Sequence, residues 1–154
     1  RKQINPYALE APISPHLAAQ QEDITIDLSL VNDCYRQLSM QADIVIVEGA
    51  GGFLVPLNDS QTGEDLAKIL GLPVILVVGM RLGCLNHALL TTGAISAARL
   101  SLVGWIANCI QSPMVAVTEN IATLEQRLQA PLLGILRFGE QTDGFIAMPK
   151  VLVR

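Results

Sequence analysis

The chain has 154 residues, of which 51% are hydrophobic and 16% charged, with a formal net charge of -4. That length suits one domain with a sizeable core, and the apolar share excludes a disordered chain. The acidic balance, with its basic residues scattered, disfavours nucleic acid as a partner.

Residues 1 to 23 are expected to be irregular, because Pro6, Pro12 and Pro15 stand too close together for a regular helix. A helix is expected from Ile26 to Met40, with Leu28, Val31, Tyr35 and Leu38 along one face. Ile44 to Val47 is a short β-branched run that reads as a strand buried on both faces. It stops at Glu48 and a glycine-rich turn. A short helix follows over Gln61 to Leu70, with Ser60 or Thr62 at its entry, Gly71 past its end and Pro73 beyond. Pro73 to Val78 reads as a second fully buried strand, and Cys84 to Ala98 as a helix with Leu85, Ala88, Leu89 and Ile95 on one side. Leu100 to Ala107 is a third strand. Val115 to Leu128 is a helix with Val117, Ile121, Leu124 and Leu128 in register, and Pro131 to Leu136 is a fourth strand. Strands and helices in this alternation specify an α/β fold, a parallel sheet flanked by helices with right-handed crossovers. The tail from Arg137 has no clear periodicity, and no linker or repeat divides the chain, so residues 1–154 are expected to form a single domain.

The longest apolar stretch, Leu72 to Met80, is far too short to span a bilayer, and no basic segment followed by an apolar one opens the chain. The 3 cysteines are widely spaced and outside any Cys-x-x-Cys pattern, and the 2 histidines cannot build a histidine-based metal cluster. A cytoplasmic protein of a reducing compartment is expected, with no membrane partner.

Glu48 and the glycines behind it carry the most chemical information. A carboxylate at the end of a buried strand reaches the crevice at the carboxyl edge of a parallel sheet, where open α/β folds bind ligands. Gly49, Gly51 and Gly52 let the backbone approach a bulky anion and present N–H groups to it. An acidic strand end beside such a turn suits hydrated Mg²⁺ on nucleotide phosphates. A tight glycine turn with a solvated or capping glutamate explains the same residues without a ligand. The 154 residues contain no Gly-x-x-x-x-Gly-Lys-[Ser/Thr] loop of the kind that opens an α/β nucleotide hydrolase. Either the fold binds no phosphate or its front portion is missing from this sequence. A Gly-x-Ser-x-Gly elbow and a Gly-x-Gly-x-x-Gly fingerprint are absent too, which disfavours serine hydrolase and dinucleotide-binding readings.

Several segments in one register point to a family. Val47-Glu-Gly-Ala-Gly-Gly52 with Pro56-Leu57 resembles the signature of the dethiobiotin synthetase family, as does Leu72-Pro-Val-Ile-Leu-Val-Val-Gly79 running into Arg81-Leu-Gly-Cys-Leu-Asn-His87. Gly104-Trp-Ile-Ala-Asn108 is similar to the family's strand leading to an adenine-contact asparagine. Asn5-Pro6-Tyr7 with Pro12-Ile-Ser-Pro-His16 resembles its loop before an interface helix. The likeness covers residues 5 to 136. It implies a P-loop NTPase-like fold whose N-terminal strand and phosphate loop are absent from this chain. It also implies a homodimer, with ATP and Mg²⁺ as requirements and 7,8-diaminopelargonic acid and CO₂ as substrates of ureido ring closure in biotin biosynthesis.

On that resemblance Glu48 is a Mg²⁺ ligand, and Gly49, Ala50 and Gly51 let the main chain approach the phosphates. Gly83, Cys84, Leu85 and Asn86 form a helix start that holds the substrate carboxylate across the dimer, a task suited to free N–H groups and the helix dipole. Asn108 offers a donor and an acceptor to the adenine edge, with Cys109 beside it. Arg137, Phe138 and Gly139 replace a more usual proline-containing loop near the adenine. The family's catalytic lysines match no residue here, so the catalytic residues stay unknown and the 154-residue chain alone is expected to be inactive. Each position has a plainer reading. Asn86 can be an ordinary first-turn polar residue, Cys84 a small buried hydrophobe, and Asn108 a turn residue. His87 reads as a packing or capping residue and Trp105 as core. The rival from another class is a non-catalytic nucleotide-binding or assembly domain of the same fold. A corrinoid amidating relative would need a glutaminase cysteine that none of the three provides.

Overall fold

The computed structural model describes residues 4–111 and 114–139; the tail beyond Gly139 lies outside them. Among the described residues eight elements follow in order: α1 (Pro15–Gln21), α2 (Leu28–Ser39), α3 (Gly63–Leu70), β1 (Val74–Gly79), α4 (Cys84–Ala97), β2 (Leu102–Asn108), α5 (Val117–Arg127) and β3 (Leu132–Leu136). Residue contacts divide the chain into two compact units, Arg1–Leu72 and Pro73–Arg154.

In the first unit the core is Ala19, Ile26, Leu28 and Leu57, with Tyr7, Leu9, Val55 and Leu66 against it. Asp27 caps α2 by accepting from the Ser29 N–H at 2.8 Å, and its own N–H donates to the Tyr7 hydroxyl at 2.9 Å. One expectation fails at α1. Prolines were expected to exclude a helix there, but Pro15 occupies the first turn, where its missing N–H would be unpaired in any case.

A second expectation fails at Ile44 to Val47. These residues belong to no strand of the described structure, and Ile46 is 84% exposed. β-Branched composition states a preference, but a strand exists only when a neighbour takes its backbone hydrogen bonds.

After the glycine turn the chain is tightly organised. Pro56 and Thr62 form an antiparallel bridge. The Asn58 side chain accepts from the N–H groups of Ser60 and Gln61 and donates to the Ile26 carbonyl at 2.9 Å. At Gly63 a Cβ would stand 2.8 Å from the Phe53 carbonyl oxygen, so this crossing admits no side chain. The entry of α3 is closed by Asp65, which accepts from the Thr62 N–H at 2.8 Å and from its hydroxyl at 3.1 Å. Gly71 ends the helix in the left-handed conformation.

The second unit is a three-stranded parallel sheet in the order β1-β2-β3. Two successive right-handed crossovers in one direction place their helices on the same face of a sheet. Accordingly, α4 and α5 share one core. Cys84 and Ala88 of α4 and Ile121 and Leu124 of α5 pack with Trp105 and Ala107 of β2 and Val78 of β1. Register explains the strand residues in that set, because Leu76 pairs with Trp105, Val78 with Ala107, and Ala107 with Ile135, so all point to the helices. β1 is not the doubly buried strand expected. Among the described residues it has a strand neighbour on one side only, and Val77 is 55% exposed.

On the opposite face Gly104 and Leu133 fit each other. The β2–β3 register shifts between Trp105 and Ile106, which leaves Leu133 as the extra residue. Its side chain lies where a Gly104 Cβ would fall, 2.6 Å from both Cγ and Cδ1. Gly104→Ala must therefore push Leu133 off the sheet, and we expect a loss of about 1–3 kcal/mol in urea unfolding, as for an overpacked core. Leu133→Ala should relieve most of that loss in the double variant.

Two hydrogen bonds from Thr62, that from its N–H foremost, hold the Asp65 carboxyl below the usual aspartate range. A depressed carboxyl contributes stability above its unfolded value and loses it as pH falls through the lower folded one. The α3 contribution should thus persist at neutral pH and fade only in acid. Asp65→Asn should flatten that part of an acid titration followed by circular dichroism.

Candidate functional site

Parallel strands end together, and the loops that leave them gather at one edge. In the second unit Gly79 pairs with Asn108 and Asn108 with Leu136, so the three carboxyl termini lie side by side. The Met80 N–H donates to the Asn108 carbonyl at 2.7 Å, and the Cys109 N–H to the Leu136 carbonyl at 2.8 Å. These bonds carry the ladder one residue past β1 and past β2. Three of the four groups of residues singled out from the sequence therefore meet at this edge: Gly83 to Asn86 after β1, Asn108 and Cys109 after β2, and Arg137 to Gly139 after β3. Ligands of open α/β sheets bind at such an edge.

Gly83 makes the turn into α4 with φ +93. Cys84 behind it is buried, Leu85 half-buried and Asn86 exposed. The helix start carries no acidic residue in its first turn and no side-chain cap; the Cys84 N–H donates to the Arg81 carbonyl at 3.0 Å, and those of Leu85 and Asn86 are among the N–H groups that a helix leaves without an intrahelical partner. That arrangement favours an anion, a carboxylate or phosphate oxygen above all. Gly139 also lies at positive φ, and Phe138 beside it is 62% exposed.

The fourth group, Glu48 to Gly51, belongs to the first unit. All four residues are exposed. Gly51 holds φ +86, and a Cβ there would come within 3.1 Å of Val55. Gly49 and Gly52 face open space. Among the described residues no group of three or more His, Cys, Asp or Glu could hold a metal ion by themselves. A single exposed carboxylate fits Mg²⁺ that takes its other ligands from water and phosphate, since that ion rarely sits in an all-protein cage.

Sequence reasoning passed over Arg81 and Thr91. Both line a cleft of about 320 Å³ along β1, together with Cys84 and His87. Arg81 could have been found from its place between a strand end and a glycine-initiated helix, where a side chain overlooks the carboxyl edge.

Residues 1–144 match the AAA_26 family model, described as an AAA domain, and the chain belongs to that family. Among characterised proteins it is similar to the ATP-dependent dethiobiotin synthetase BioD of Nitrosospira multiformis (strain ATCC 25196 / NCIMB 11849 / C 71), 56% identical over 93% of this chain and 63% of the relative. The proteins of that name from Aromatoleum aromaticum (strain DSM 19018 / LMG 30748 / EbN1) and Ralstonia nicotianae (strain ATCC BAA-1114 / GMI1000) are 54% and 52% identical, over 86% and 95% of this chain and 59% and 64% of their own lengths. The chain thus spans about three-fifths of the relatives it matches. These likenesses bear out the family resemblance read from the motifs.

The left-handed turn at Gly83 sets a test of the helix start. A Cβ would meet only His87 at 3.7 Å, so space is not the obstacle, but an L side chain is strained at that φ. Gly83→Ala is expected to cost about 1–2 kcal/mol, the usual left-handed penalty, read as a lowered Tm.

Proposed function

We propose that the chain is the larger part of an ATP-dependent dethiobiotin synthetase. The observation that carries this reading is the meeting of Gly83–Asn86, Asn108–Cys109 and Arg137–Gly139 at one carboxyl edge. The likeness to proteins of that name points the same way. In this reading both compact units belong to one P-loop NTPase-like domain that works as a cytoplasmic homodimer.

The reaction proposed for the complete protein joins CO₂ to one amine of 7,8-diaminopelargonic acid as a carbamate. A carbamate oxygen attacks the γ-phosphoryl of ATP and releases ADP. The second amine then attacks the activated carbonyl, expels phosphate and closes the ureido ring. Glu48 would hold Mg²⁺, which neutralises charge on the phosphates. Gly49, Ala50 and Gly51 would let the backbone approach them. The helix start at Gly83 to Asn86 would bind the substrate carboxylate of the partner protomer's site, through the N–H groups of Leu85 and Asn86 above all. Asn108 would read the adenine edge, with Cys109 and the Arg137–Gly139 turn beside it. Such transfers depend on positioning and charge stabilisation more than on covalent help from the protein.

A second reading is a nucleotide-binding or assembly domain of the same fold without catalysis. Both readings predict that these residues alone do not turn over ATP.

ADP formation from Mg-ATP separates the two. It should be measured on the reading frame extended to the relatives' length, with and without diaminopelargonic acid and bicarbonate. We expect turnover that requires both co-substrates, and on the order of a hundredfold loss or more in Glu48→Ala, the scale for removing one charge-stabilising group. A folded, extended protein without turnover would favour the assembly reading.

A further inference from the structure

The glycine turn behind Glu48 is fastened through the segment that leaves it. Gly51 lies against Val55, where a Cβ on the glycine would come within 3.1 Å of Cγ2. The Val55 N–H donates to the Gly52 carbonyl at 3.0 Å, and the Val55 carbonyl accepts from the Gly63 N–H at 2.9 Å. Gly63 is the first residue of α3, and the leading N–H groups of a helix have no intrahelical partner. The helix start therefore puts a free donor on the exit of the turn. One residue earlier, Thr62 forms an antiparallel bridge with Pro56.

Asp65 holds that start in place. One of its carboxylate oxygens accepts from both the Thr62 N–H, at 2.8 Å, and the Thr62 hydroxyl, at 3.1 Å. An ordinary cap satisfies helix donors and does no more. Here the capped residue is also half of a β-bridge, so the carboxylate fixes the start of α3 and the place of Pro56 and Val55 together. The other side of the same loop is tied to the core, by buried Leu57 and by the Asn58 amide on the Ile26 carbonyl at 2.9 Å. A shift at Thr62 is thus passed towards Val55, Gly52 and the turn.

We propose that Asp65 is a positioning residue for Mg²⁺: through Thr62 and Val55 it sets the glycine turn so that the Glu48 carboxylate meets a cation on the nucleotide phosphates. This role rests on the assignment of Glu48 to Mg²⁺ under the proposed function. Asp65 acts as the outer hydrogen-bond partners of metal sites do, by orienting the group that binds. Its charge is not what the role requires. Asparagine keeps an oxygen that can accept from Thr62, and alanine keeps none.

The test uses the reading frame extended to the relatives' length and a β,γ-imido analogue of ATP, with affinities measured by calorimetry in Mg²⁺ and in EDTA. The gain in affinity from Mg²⁺ is compared among wild type, Glu48→Ala, Asp65→Ala and Asp65→Asn. Wild type is expected to bind more tightly with Mg²⁺, and Glu48→Ala to lose most of that gain. Asp65→Ala should lose about tenfold, the scale for an outer partner of a metal site, with its affinity in EDTA unchanged. Asp65→Asn should keep the gain although its charge is gone. A cap that serves the helix alone would lower the Tm of Asp65→Ala and leave the Mg²⁺ gain intact, which overturns the proposal while Glu48 keeps its role. Equal losses in Asp65→Ala and Asp65→Asn would make the effect one of charge and overturn it too. A gain that survives Glu48→Ala, or no gain in wild type, would refute the Glu48 assignment and the Asp65 role together. Should Asp65→Ala fail to fold, Val55→Ala takes its place, since it removes the packing against Gly51 and leaves the Thr62–Asp65 bonds. It must cut the Mg²⁺ gain, and a full gain refutes the linkage.

Discussion

The pairing of β2 on both its edges is the constraint from which the second unit follows. A central parallel strand must give every N–H and C=O to a neighbour, so β2 fixes the direction and register of β1 and β3 at once. Register then decides which side chains meet. Trp105 and Ala107 are both fully buried, and they recruit Leu76 and Val78 from one side and Ile135 from the other onto the face that α4 and α5 cover. Among the described residues β1 pairs with β2 alone, which accounts for its half-burial as well.

The same alignment creates the candidate site. Strands in register end in register, so the turns after Gly79, Asn108 and Leu136 leave the sheet from one edge. Their backbone is shaped for close approach, with positive φ at Gly83 and Gly139. No long-range contact needs to be invoked to bring these residues together; a few ladder hydrogen bonds past the strand ends suffice.

Much of this unit was legible in the sequence because its signals are redundant. The expected and observed bounds of α4, α5, β2 and β3 differ by two residues or fewer, and buried periodicity, Gly83, Pro73 and Pro131 all agree there. The failures have particular causes. Pro15 was read as a breaker, although a proline at the first helical position costs nothing. Ile44 to Val47 shows the deeper limit: a pattern records what a segment prefers, while a strand is a property of two segments. β1 failed in degree for the same reason, since an apolar run does not say how many neighbours it has. Arg81 was passed over because a lone cation makes no motif; its place between the end of β1 and the Gly83 turn was the available signal, and the cleft it lines gives that place meaning.

The division of labour in the proposed synthetase follows from these same facts. The carboxyl edge supplies groups that hold and orient: an uncapped helix start for a carboxylate, an amide for a base edge, glycines where backbone must come close. None of these generates a nucleophile or delivers a charge to a transferring phosphoryl group, and the exposed carboxylate of Glu48 can help only through a cation bound to phosphate. Recognition and chemistry are therefore carried by different stretches of chain in this reading. A frame built on β2 keeps its recognition geometry whether or not a phosphate-cradling loop is joined to it, because that geometry depends on ladder bonds within the second unit. Loss of turnover would then tell nothing about loss of the fold, and each has to be measured on its own.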